Sequence, residues 1–148
     1  MERRTPDFAR VFGDNKLDET ETAAVIELAF LMAHANGDAS PDELESLRSL
    51  IKHLIPNANV GLHFEKFSDG FEGEPTIGVR IKGAASKLSR PIAKELAYKA
   101  VYAVAVYDLE TNEEERDVEE RVINALGLDE KRAHELGLET THALLART

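Results

Sequence analysis

Oxygen ligands gather in two short stretches of the chain. One runs Ala35-Asn36-Gly37-Asp38-Ala39-Ser40-Pro41-Asp42-Glu43-Leu44, the other Tyr107-Asp108-Leu109-Glu110-Thr111-Asn112-Glu113-Glu114-Glu115-Arg116. Laid one beneath the other, Asn36 aligns with Asp108, Asp38 with Glu110, Ser40 with Asn112 and Glu43 with Glu115. A hard divalent cation wants carboxylate, amide and water oxygens, about six to eight in all for calcium. Asp108, Glu110 and Glu115 are the strongest candidate ligands, helped by Asp38 and Glu43. Calcium suits this donor set better than zinc, which prefers nitrogen and sulfur.

Counting Asp108 as position 1 puts Glu110, Asn112 and Glu119 where an EF-hand has ligands. Position 6 is then Glu113, where that loop needs glycine for its sharp turn, so an EF-hand is disfavoured. A competing reading needs no metal at all. Asp and Asn in turns bond their own backbone, and acidic residues in a first helical turn are stabilised by the helix dipole, by about 0.3–1 kcal/mol each.

Catalytic chemistry is poorly provided for. The chain has no cysteine, which removes thiolate nucleophiles and thiolate metal sites. Its histidines, at 34, 53, 63, 134 and 142, form no ligand pair with zinc-site spacing. There is no nucleophile elbow, P-loop or dinucleotide fingerprint. Tyr98, Tyr102 and Tyr107 fall at helical spacing and read as packing. The expectation is a protein that is not an enzyme.

The elements that position the acidic turns are helical. Asp18 or Thr20 caps a helix to about Ala35, with Ala24, Val25, Leu28, Ala29, Leu31 and Met32 at spacings of three and four. Ser40, Pro41 and Glu43 make a capping box for a second helix, which Pro56 ends. Residues 57–75 read as an irregular connection. A helix over 76–88 is favoured next, with a β-hairpin using Ile77, Val79 and Ile81 as the alternative. Ser89 is expected to cap a central helix to Tyr107, and Asn112 another that stops at Gly127. Two short helices should follow, from Asp129 to about Leu136 and from Thr140 or Thr141 to about Ala146. Residues 1–17 form an N-terminal arm or short helix ahead of one helical domain, 18–148.

Each acidic stretch therefore follows a long apolar helix and precedes an amphipathic one. That is an internal duplication of a helix–turn–helix unit, and it predicts two helical hairpins around a shared core. With the ending Ala125-Leu126-Gly127-Leu128, the repeated turn resembles the tellurite-resistance TerB-like family over roughly Thr22 to Leu136. The first copy has Asn36 where that family usually has aspartate, and the second has Leu109 where it usually has glycine. The resemblance implies an all-α, compact bundle of about seven helices built from two pseudo-repeated helical hairpins. It also implies a role in stress or tellurite resistance within a membrane-associated, metal-related system.

The formal net charge of −10 repels nucleic acid and anionic lipid and favours cations or a basic protein partner. The expectation is a protein partner, no nucleic acid and no direct membrane insertion. With no apolar run near the ~20 residues of a span and no signal-peptide h-region, the location read is cytoplasmic. The alternative to a cation-dependent domain is a metal-independent protein-interaction module that uses its acidic face or an apolar groove.

Overall fold

The computed structural model describes residues 8–13, 15–34, 41–55, 77–107 and 113–145. Within them lie seven helices: α1 (Phe8–Phe12), α2 (Glu19–Ala33), α3 (Pro41–Leu54), α4 (Ile77–Ala85), α5 (Pro91–Tyr107), α6 (Glu113–Leu126) and α7 (Glu130–Leu145). Among the described residues there is no strand, so the fold is an all-α bundle.

α2 and α5 form its centre because each is apolar nearly all round. On α2, the six consecutive residues Leu28 to Ala33 are all buried. On α5, alanines 93, 97, 100 and 103 alternate with buried Leu96, Val101 and Val104. Such small side chains let neighbouring helix backbones come close. α2 packs on α5, and each also touches α3 and α6. α3 and α6 are amphipathic and bury one stripe each, Leu47, Leu50 and Ile51 on α3 and Val118, Val122 and Leu126 on α6. α4 lies on α2 and α6, α1 lies on α3 and α5, and α7 covers α5 and α1.

Exchanging α1-α2-α3 with α4-α5-α6 leaves the pattern of packed pairs among these six helices unchanged. The two outer helices start at Pro41 and Glu113 and stop at Leu54 and Leu126, a displacement of 72 residues at both ends. Glu19 and Pro91, the starts of α2 and α5, are separated by the same displacement. Burial follows it. Ala24, Val25, Ile26, Leu28, Ala29, Leu31, Met32 and Ala33 are buried, and so are the residues 72 positions later.

Local chemistry explains where the helices begin and end. Asp18 caps α2: its carboxylate accepts from the Glu21 amide at 2.8 Å, and its own amide donates to Glu21 Oε1 at 3.0 Å. α6 ends in a full Schellman motif. Gly127 sits at φ +70°, its amide donates to Asn124 O, and the Leu128 amide donates to Ile123 O.

Ile77, Val79 and Ile81 are helical, as the favoured reading has it, and the hairpin alternative fails; Ile81, Ala84 and Ala85 are buried at helical spacing. Three expectations are corrected. α5 is capped by Arg90 rather than Ser89, since the Lys94 amide donates to Arg90 O and Pro91 takes the first helical position. α2 ends at Ala33, not Ala35, closed by the His34 amide on Phe30 O. Finally, the two short terminal helices are one. The Thr140 and Thr141 hydroxyls donate back to the Leu136 and Gly137 carbonyls, so they cap nothing. Gly137 does not break α7, and a Cβ there would stand 3.1 Å from the Tyr102 ring. The expected irregular connection at 57–75 lies outside the described residues, as does the arm before residue 8.

One matched pair of positions differs in chemistry. Tyr98 and Glu119 on α5 and α6 are bonded, the phenol donating to Glu119 Oε2 at 2.7 Å. The positions 72 residues earlier hold Ile26 and Leu47, both buried. Glu119→Leu alone strands the buried Tyr98 hydroxyl and should cost about 1–3 kcal/mol. Tyr98→Phe together with Glu119→Leu should return to within about 1 kcal/mol of the parent, because both polar partners leave together. Urea unfolding of the two single variants and the double variant measures this directly.

Candidate cation site and the carboxylates around it

α3 and α6 set the stage for the repeated turns, since each turn precedes one of their N-termini. Glu43 is the third residue of α3, as the capping box requires, and it is only 4 % exposed. It is not a free carboxylate. Glu115 is the third residue of α6, but its side chain lies outside the described residues. Asp38, Asp108 and Glu110 lie outside them too. Glu119, at the last EF-hand ligand position, has one oxygen held by Tyr98. An EF-hand needs both oxygens of that residue on the ion, so this bond adds to the case against that loop.

Three other carboxylates carry the clearest electrostatics, and each is already held by cations. Glu21 receives a two-pronged contact from Arg90: Nε donates to Oε2 at 2.8 Å and Nη2 to Oε1 at 2.6 Å. Arg90 Nη2 also donates to the Lys16 carbonyl at 2.9 Å. The Arg90 hydrogen bonds, then the Asp18 amide, hold the Glu21 carboxyl at about 2, against the opposing effect of burial. This clasp joins the first turn of α2 to the cap of α5.

Arg132 on α7 forks onto Glu95 of α5, with Nε to Oε2 at 2.7 Å and Nη2 to Oε1 at 2.9 Å. Its hydrogen bonds hold the Glu95 carboxyl below the ordinary carboxylate range. Glu139 is shared between Arg132 at 3.5 Å and Lys99 Nζ at 3.0 Å. These groups bind helices together. Among the described residues, no three of His, Asp and Glu converge as a metal-ligand set.

The histidines are similarly placed. His34 closes α2: its ring stacks on Phe30 at 4.1 Å, and Nδ1–H donates to Phe30 O at 3.0 Å. His53 stacks on Phe12 at 5.4 Å. His134 and His142 are exposed on α7, and His63 lies outside the described residues. Tyr98 and Tyr102 pack with ring centroids 6.1 Å apart. Burial, followed by the hydrogen bond to Glu119, raises the Tyr98 phenol above its ordinary range. Among the described residues, no helix is long and apolar enough to cross a membrane.

The Asp18-x-x-Glu21 spacing carries the capping-box signal in the sequence itself. Arg90 and Arg132 give no such signal, because their partners lie 69 and 37 residues away.

The Glu21 clasp sets a pH dependence. Its folded carboxyl is depressed from 4.5 to about 2, so its stabilisation is fully present above about pH 4.5 and is lost as pH falls toward 2. Glu21→Gln should lower stability at pH 7 and flatten the acid limb of stability against pH. Parallel denaturant titrations from pH 2 to pH 7 read both effects; an unchanged acid limb in the variant contradicts the assignment. No protein-family model, curated protein or solved structure matches this chain.

Proposed function

We propose that the chain is a non-enzymatic, TerB-like binding or scaffolding domain of a stress or tellurite-resistance-type response, which takes a divalent cation at its two acidic turns. One observation carries this reading: α2 and α5 pack on each other and begin side by side at the Glu21–Arg90 clasp. Each of the two helices leads in sequence into one of the two acidic stretches. The proposed ligands are Asp108, Glu110 and Glu115, helped by Asp38 and Glu43, and their oxygens suit calcium better than zinc. A cytoplasmic setting and a membrane-associated protein partner complete the proposal.

Glu43 favours the second reading, a metal-independent interaction module. Its burial at the third position of α3 is what helix capping alone requires. The acidic face from Asp108 to Glu120 would then meet a basic partner.

Metal-stripped protein unfolded thermally with calcium, magnesium, manganese or zinc separates the two. A cation at one hundred times its dissociation constant should stabilise by about 2.7 kcal/mol, a rise of several degrees for a domain of this size. The rise should vanish in Asp108→Asn and in Glu110→Gln, with the unliganded midpoints measured alongside to separate lost capping. No rise with any metal at millimolar concentration contradicts the cation reading.

A further inference from the structure

The second half of the bundle contains a cleft of about 320 Å³ between α4 and α6, lined by Gly78, Ile81, Lys82, Arg121, Asn124 and Ala125. We propose that this cleft takes an aromatic side chain of an acidic peptide segment from a partner protein. The proposal rests on the reading of the chain as a binding module, but not on the cation.

The first half shows what the space accepts. There α1 packs on α3 as α4 packs on α6. His53 of α3 stacks its ring on Phe12 of α1 at 5.4 Å. The residues 72 positions later are Ala125 and Ala84. Two stacked rings in one half are thus matched by two methyl groups in the other; Ala84 is buried, and Ala125 lines the cleft. A flat ring entering from outside restores the packing that the first half makes internally. Ile81, fully buried, supplies an apolar floor.

The rim selects the charge. Among the described residues, Lys82 and Arg121 are the charged residues lining the cleft, and none of the lining residues is acidic. On a chain of net charge −10, these two cations give the rim a local attraction for an acidic segment. Gly78 lets the arginine cross to α4: a Cβ there would lie 2.8 Å from Arg121 Nη1. Asp117 holds Arg121 Nε at 2.8 Å and partly offsets its charge. Val79, the next residue on α4, is 56 % exposed and extends the apolar surface past Lys82.

Selection of a phage-displayed random 12-residue library on the full chain, followed by fluorescence anisotropy with the enriched peptide, tests the assignment. The expected consensus pairs an aromatic residue with Asp or Glu. Ala125→Phe puts a ring into the cleft at the position that His53 holds in the first half. It should keep the thermal midpoint within a few degrees and weaken binding at least tenfold. Lys82→Glu should weaken binding, and more salt should do the same, whereas Asp117→Asn should tighten it by freeing Arg121. A basic or purely aliphatic consensus, or affinity that survives Ala125→Phe in folded protein, overturns the proposal. So does 3-phenylpropionate binding as tightly as the peptide, which would make the cleft a small-molecule site. None of these readings involves a metal, so failure here and failure of the cation assay are distinct.

Discussion

The packing of α2 against α5 is the constraint on which the rest depends. Two helices that are apolar all round cannot face water, and burying both requires partners on every side. α3 and α6 each touch both of them, and α4 and α1 close the flanks. Alanines at 93, 97, 100 and 103 thin the surface of α5 and allow the close approach. The Glu21–Arg90 clasp then fixes which ends lie together. Apolar burial supplies a non-directional driving force, while the charged fork sets the register at one end.

The two halves share this scaffold but spend their matched positions differently. Asp18 and Arg90 hold equivalent caps with opposite charges, and Glu21 receives donors from both. Ile26 and Leu47 match Tyr98 and Glu119, an apolar pair of positions against a hydrogen-bonded pair. Ser46, fully buried, matches buried Val118, and its hydroxyl has no partner among the described residues. Phe12 and His53 match Ala84 and Ala125, and Ala125 lines the cleft between α4 and α6.

Much of the frame was legible in the sequence because its signals are local. The spacing of Leu44, Leu47, Leu50, Ile51 and Leu54 specified α3, and Gly127 marked the end of α6. Misreadings came where a local cue fits more than one structure. Thr140 and Thr141 read as helix caps until their hydroxyls are seen bonded back to the Leu136 and Gly137 carbonyls inside one helix. Ile77, Val79 and Ile81 alternate like a strand, but the helix favoured there is the one that forms, and it buries Ile81 against the core. The proposed cation residues were visible as a repeated acidic pattern, of which Glu43 alone has a described side chain. Helix capping and cation binding call for the same residue types there, so pattern alone does not separate them. The clasp of Glu21 by Arg90 and the cleft beneath Arg121 depend on distant residues meeting, which no local spacing encodes.

We propose that one cation is shared by the two acidic stretches, which requires α2 and α5 to end near each other. The chain has no cysteine, so spin labels can be placed on Ala39→Cys and Thr111→Cys, neither of them a proposed ligand. Pulsed electron–electron resonance between the labels measures the separation directly. α5 has 17 residues and spans about 25 Å. Turns at the same end predict a separation below that length, and a calcium bridge predicts a narrower distribution when the ion is added. A separation of a full helix length or more would contradict the account.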